Sequence, residues 1–304
     1  MKPSPCVPTP MRCARLILAV GAALSLVACG GGATLAPDPK PKPDTTIPPA
    51  TTKVDTVFRD EFDGPAGATF DHAKWGADVG TGGNGWGNHE LEFYTTDTSN
   101  VALDGQGHLV ITARAEPQTT TNQCWYGRCR YTSTRLKTQG KFSQMFGRFE
   151  ARIKIPRGQG VWPAFWMLGA DIDQVGWPTC GEIDVMENIG KEPAIVHGTV
   201  HGPGYSGGKG IGRAFTIQAG NYADDFHVYA VEWKPGDIRW FVDGTEYFHL
   251  TSNDIPSGTT WAFAHPFFIL MNFAVGGDWP GSPDSTTTFP QQMVVDYVRV
   301  IRTS

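Results

Sequence analysis

Charge is scarce in this chain of 304 residues, where Asp, Glu, Lys and Arg make up 18% against a usual share of about 25%. With 40% of residues hydrophobic and 12% aromatic, large apolar surfaces must be packed or used. Glycine and proline number 37 and 23, or 60 in all, below the roughly 25–30% of low-complexity chains, which excludes disorder throughout. Basic residues are outnumbered, with a formal net charge of −5, so nucleic acid is excluded as a partner. No stretch of about a dozen residues combines helical periodicity with caps. No internal repeat and no second Pro/Thr-rich linker interrupts residues 53–304. One large all-β domain is the economical reading, since sandwiches and barrels reach about 200–250 residues as single units.

The N-terminus carries an export signal. Lys2, Arg12 and Arg15 precede the apolar run Leu16–Ala28, whose 13 residues fall short of the about 20 that span a bilayer. The run ends Leu26-Val-Ala-Cys29, which resembles the site where bacterial lipoproteins are cleaved and acylated on cysteine. Residues 1–28 therefore read as a lipoprotein signal peptide with Cys29 as the lipidated residue. Residues 29–52, with PDPKPKPDTTIPPATTK, read as an extended Pro-rich linker. Losing three positive charges with the signal moves the formal charge from −5 to −8. The expected place is the bacterial cell envelope, anchored at the outer membrane or cell surface by lipid alone, or free after secretion. Cys124 and Cys129 can close a small loop in an oxidising compartment. Zinc would require further Cys or His at ligand spacing, which is absent, so a disulfide is expected. Cys180 is left as a buried small hydrophobe.

Period two dominates residues 53–304. In Gly147–Ile155, Phe149, Ala151, Ile153 and Ile155 share one face while Arg148, Glu150, Arg152 and Lys154 share the other. His227–Trp233 and Ile238–Asp243 read as strands, with Asp243-Gly244 supplying positive φ for a tight hairpin. Met293–Ile301 reads as a last strand. Many short strands between Gly, Pro, Asn and Asp turns predict a jelly-roll β-sandwich of two antiparallel sheets with a concave cleft.

The chemistry concentrates in Trp177-Pro-Thr-Cys-Gly-Glu-Ile-Asp-Val-Met-Glu-Asn188. Glu182 and Asp184 share a strand face, but Glu187 has the wrong parity to join them. A β-bulge at Val185-Met186 brings it back, placing three carboxylates in line. Crowded acids repel, so at least one pKa rises and a proton donor stands beside an ionised carboxylate, the pair that glycosidic cleavage uses.

Motifs in a fixed order flank that segment: Asp60-Glu-Phe62, Gly85-Trp-Gly-Asn-His-Glu-Leu-Glu-Phe-Tyr94, Gly147-Arg-Phe-Glu150, Val161-Trp-Pro-Ala-Phe-Trp-Met-Leu168, His197-Gly-Thr-Val-His201, Asp225-Phe-His-Val-Tyr-Ala-Val-Glu-Trp233, Ala274-Val-Gly-Gly277 and Asp296-Tyr-Val-Arg-Val300. Across residues 57–301 the chain thereby resembles glycoside hydrolase family 16, in particular its bacterial laminarinase-like endo-β-1,3-glucanases. The resemblance implies a jelly roll and a retaining mechanism with Glu182 as nucleophile, Glu187 as acid/base and Asp184 assisting. A monomer with no cofactor for catalysis is expected. The extra residue separates it from licheninases, which use an unbulged E-x-D-x-E. Cleavage of mixed-linkage β-1,3-1,4-glucan or a galactan is the runner-up activity. A glucan-binding jelly roll without catalysis is the competing class.

Trp162 and Trp166 share parity with Ala164 and are expected to offer flat faces to sugar rings. Trp86, Asn88 and Trp279 stand in Gly-rich loops as further substrate contacts, and His201 is expected to bond Glu187 or a sugar hydroxyl. Tyr94, Tyr229 and Trp233 read as core. The resemblance also implies a structural calcium at Glu61, Gly107 and Asp296, with carbonyls from the first two and a carboxylate from the third. Pairing of Asp296 with a nearby arginine is the alternative.

Overall fold

The computed structural model describes residues 54–303. The segments read as signal and linker, Cys29 included, lie outside the described residues. Two sheets carry the fold. The ten-stranded sheet runs Thr245–Thr251, Asp237–Val242, His227–Lys234, Gly147–Lys154, Gln291–Thr303, Leu109–Ala115, Tyr131–Ser133, Glu92–Tyr94, with Val54–Asp60 and Val101–Leu103 pairing off this path. The seven-stranded sheet runs Ile211–Thr216, Ile195–His201, Glu182–Glu187, Val161–Gly169, Phe267–Val275, Arg135–Lys137, Gly76–Asp78. A ribbon of Gln123–Cys124 and Gly127–Arg128 stands apart, closed by the Cys124–Cys129 disulfide. The two main sheets are antiparallel as expected, with one parallel pairing at the end of the larger, Glu92–Tyr94 beside Tyr131–Ser133. Parallel neighbours need a long connection, which the excursion through Leu109–Ala115 and the disulfide ribbon supplies.

Alternation decides which faces meet. Phe149, Ala151 and Ile153 are fully buried, as are Val231, Trp233, Ile238 and Trp240, and from the other sheet Phe165, Met167, Ile183 and Val200. Each buried Val, Ile, Phe or Met among them stabilises the fold by roughly 1.5–3 kcal/mol. Tyr94, Tyr229 and Trp233 are buried as expected. At the hairpin after Asp237–Val242, Asp243 and Gly244 take φ of 49° and 79°, the left-handed pair that a tight two-residue turn requires. Phe267–Val275 is buried at every position, because a small second cluster of Leu168, Cys180, Phe268 and Leu270 covers its other face.

The strand Glu182–Glu187 departs from regularity. Against Val161–Gly169, Phe165 pairs with Met186 and Trp166 with Asp184, so Val185 is an extra residue. Against Ile195–His201, Asp184 pairs with Thr199 and Glu187 with His197 across the same irregularity. Val185 and Met186 are both buried in the core, and the bulge falls where parity demanded it. The other sheet reaches in at this point: the Trp240 indole N–H donates to the Asp184 carbonyl at 2.8 Å. Such a buried carbonyl left unpartnered costs about 1–3 kcal/mol. Gly198 makes room for that indole, since a Cβ there would lie 2.4 Å from Trp240 Cδ1 and 2.5 Å from the Tyr247 hydroxyl.

Candidate active site

Strand register arranges the open face of the seven-stranded sheet in rows. One row crosses Arg135, Asn272, Ala164, Glu187 and His197. The next crosses Lys137, Leu270, Trp166, Asp184 and Thr199, and a third crosses Phe268, Leu168, Glu182 and His201. The three acids therefore face one way in successive rows. His197 and His201 flank them from one neighbouring strand, and Trp162 and Trp166 from the other.

Each acid has an identifiable partner. Trp177 donates its indole N–H to Glu182 Oε2 at 2.6 Å, and Trp162 donates to Glu187 Oε1 at 3.0 Å. His201 Nε2 lies 3.3 Å from Asp184 Oδ2 and 4.0 Å from Glu182 Oε1. Burial pushes the Glu182 carboxyl up to about 8, with repulsion from Asp184 adding to it and His201 and the Trp177 N–H opposing it. Burial likewise raises Asp184 to about 7. Glu187 is held well above the ordinary carboxylate range by burial first, then by the charges of Asp184 and Glu182. The site can thus hold ionised and protonated carboxyls side by side near neutral pH.

The expected aromatic wall is more polar than its sequence suggests. The Arg135 guanidinium sits 4.6 Å from the Trp86 ring centroid and 4.8 Å from that of Trp166, held by Asp78 at 3.1 Å. The indole N–H of Trp166 donates to Asn272, Asn272 to the Tyr94 hydroxyl, Tyr94 to Glu90, and Asn88 to the other oxygen of Glu90, in steps of 2.7, 3.0, 3.0 and 3.0 Å. Trp166 and Asn88 are thereby two ends of one hydrogen-bonded chain. Trp279, 38% exposed, packs edge-on against Trp162 at 5.5 Å and against His197 at 4.9 Å.

His201 meets Asp184 and Glu182 rather than Glu187, the first of its two expected partners. The antiparallel register sets it opposite Glu182, and His197 opposite Glu187. Burial lowers the pKa of His197, favouring a neutral ring beside that acid. His197, Trp177 and Arg135 escape sequence reading. The only signal for His197 is its parity with His201, and Trp177 is read as a flank of the acid motif.

The residues expected at a calcium ion are only partly free. Gly107 does approach the Glu61 carbonyl, where a Cβ would lie 3.9 Å from the oxygen. Yet the Glu61 side chain is held by Arg299 through two hydrogen bonds of 2.8 and 2.7 Å. Asp296 Oδ2 accepts from Arg152 at 2.5 Å, the arginine pairing that was the alternative. Among the described residues the one cluster of His, Cys, Asp or Glu close enough to share an ion is Glu182, Asp184 and His201, the acid row itself.

A jelly roll bearing three aligned acids between tryptophan-lined strands defines the class of polysaccharide-cleaving β-sandwich hydrolases. The family model for glycosyl hydrolases family 16 matches residues 89–299, and the chain belongs to that family. It is 45% identical over 254 residues to a beta-glucanase of Rhodothermus marinus, a match covering 81% of this chain and 84% of the relative. It is 36% identical to glucan endo-1,3-beta-glucosidase A1 of Niallia circulans, over 85% of this chain but 39% of that longer protein. Among solved structures, the endo-beta-1,3-glucanase of Pyrococcus furiosus is similar at a TM-score of 0.77 and 48% identity, covering 85% of this chain and 98% of that one. The laminarinase catalytic domain of Thermotoga maritima is similar at 0.76 and 45%, covering 83% and 99%.

A carboxyl whose pKa is raised on folding stabilises the fold fully below its unfolded pKa of about 4.3, and that contribution is lost as pH rises toward the folded value, here about 8 for Glu182. Glutamine cannot ionise and still accepts the Trp177 N–H. Glu182→Gln should therefore exceed the parent in stability at pH 8, by about 1–2 kcal/mol, with the gap closing toward pH 4. Thermal melts across that range test this, and a gap independent of pH would refute it.

Proposed function

We propose that this chain cleaves β-1,3-glucan of the laminarin type within the polymer and with retention of configuration, Glu182 attacking and Glu187 serving as acid and then base. The activity rests on family membership and on relatives described as glucan endo-1,3-beta-glucosidases. The residue roles rest on one observation, the bulge that returns Glu187 to the row of Glu182 and Asp184. Glu187 protonates the glycosidic oxygen while Glu182 attacks the anomeric carbon, forming a glycosyl-enzyme and releasing the leaving chain. Glu187, now ionised, takes a proton from water, whose oxygen attacks the same carbon and frees Glu182. Asp184 orients or electrostatically tunes Glu182, whose carboxyl pKa it helps to raise. Trp162 positions Glu187 through its N–H, and its ring, with Trp166, Trp86, Asn88, His201 and Trp279, binds the sugars. Catalysis uses no cofactor. A glucan-binding role without catalysis is disfavoured by the presence of all three acids, Glu182, Asp184 and Glu187, in one row.

Outside the cytoplasm the protein works as a monomer tethered by lipid on Cys29 and by the Pro-rich segment that follows. A single acyl chain holds membranes only marginally whereas several anchor stably, so Cys29→Ser should move the protein from the membrane fraction to the medium. An unmodified mature N-terminus by intact mass would end this reading.

A calcium ion bound at the Glu61 carbonyl, the Gly107 turn and Asp296 would stabilise the folded state by mass action. The melting temperature should then rise with added calcium and fall with chelator, but not in Asp296→Ala. Identical melts in both conditions would remove the ion.

The decisive test is stereochemical. NMR of the first products should show a newly formed β-anomer; an α-anomer means inversion and a wrong role for Glu182. Glu187→Ala should lower kcat on glucan about 10²–10⁴-fold, yet still be glycosylated by a substrate whose leaving group needs no proton, with azide intercepting the intermediate.

A further inference from the structure

Six large hydrophobic side chains are exposed among the described residues, three of them tryptophans: Trp177, Trp279 and Trp125. Trp177 bonds Glu182, and Trp279 packs on Trp162 beside Glu187. Trp125, 43% exposed, has no part in that arrangement. It rides on the disulfide ribbon, whose tip is fastened down by polar groups: Trp125 N–H donates to the Glu90 carbonyl at 2.8 Å and the Tyr126 hydroxyl to the Leu91 carbonyl at 2.5 Å. An aromatic pair held this firmly and left open is preorganised for a ligand.

The ribbon walls a pocket of about 290 Å³ with Trp125, Tyr126, Arg130, His89, Gly277 and Asp278, near the about 300 Å³ at which ordinary small-ligand sites begin. Its charges balance locally. Arg130 lies over the Tyr126 ring at 5.1 Å, and His89 Nδ1 is 2.9 Å from Asp278 Oδ2. A polyanion would meet Asp278 unfavourably, whereas aromatic faces ringed by donors and acceptors of both signs suit a neutral polyhydroxyl chain. The pocket also adjoins the acid-bearing face. Asp278 donates its backbone N–H to the Asn88 carbonyl at 2.8 Å, and a Cβ on Gly277 would lie 3.5 Å from Trp162 Cζ3. The segment 277–279 therefore walls the pocket through Gly277 and Asp278 and reaches the acids through Trp279.

We propose that this pocket is an accessory binding site for a second stretch of the neutral glucan polymer, beyond the residues that surround the acids. It rests on the glucan-hydrolase reading. A long chain crossing the 277–279 ridge engages Trp125 and Arg130; an oligosaccharide that only fills the site around the acids does not.

The experiment compares KM and kcat of the parent, Trp125→Ala and Arg130→Ala on laminarin-type polymer and on a short β-1,3-gluco-oligosaccharide, with melting temperatures alongside. Both variants should raise KM for the polymer roughly fivefold or more, leaving kcat and the short substrate unchanged. The Arg130 side chain makes no hydrogen bond to the Glu90–Leu91 segment, so Arg130→Ala decides the matter if Trp125→Ala also lowers the melting temperature. Equal losses on both substrates would overturn the proposal, marking the ribbon as a support for Asn88 and Glu90. Unchanged polymer kinetics in Arg130→Ala would overturn it too. Failure of the hydrolase reading is separately visible, because the parent would then cleave neither substrate.

Discussion

The site depends on one surplus residue. Without Val185 the alternation of a strand would send Glu187 into the apolar space between the sheets, where an acid would be desolvated without a partner. With it, two consecutive apolar residues turn inward and three acids turn outward. A bulge interrupts the ladder, and the opposite sheet supplies the missing donor through Trp240, for which Gly198 clears the space. The catalytic geometry is therefore a property of both sheets, although only one presents the acids.

Placing three carboxyls in one row is electrostatically unfavourable, and the surroundings offset it with few formal charges. The side-chain donors to this row are two indoles, Trp177 and Trp162, which deliver a hydrogen bond without a competing cation. His201 stands closest to Asp184. The raised pKa values keep protons available where a hydrolase needs both an acid and an attacking carboxylate, so what weakens the fold near neutral pH prepares the chemistry.

Much of this was legible in residue order because parity is a local property. Phe149, Ala151 and Ile153, the Asp243-Gly244 hairpin and the bulge itself follow from period two and from turn chemistry. Partners set by register between distant strands were not legible. Nothing near His197 says that it will face Glu187, and nothing near Arg135 says that it will lie between Trp86 and Trp166. The same limit explains Glu61 and Asp296: their motifs are local, but Arg299 and Arg152, which hold them, are brought there by neighbouring strands. The parallel pair of Glu92–Tyr94 escaped for that reason as well.

The seclusion of Cys180 has a consequence for how the crosslink of the disulfide ribbon is kept. Three thiols among the described residues could join in three ways while the chain is open. Cys124 and Cys129 are separated by only 5 positions, so their loop closes at little entropic cost. Cys180 is fully buried, and its thiol is pushed up to about 11 by that burial, leaving almost no thiolate to attack a neighbouring disulfide. Packing of the small cluster around Leu168 and Phe268 thus guards the crosslink from a distance, by keeping the one free thiol among the described residues both out of reach and protonated.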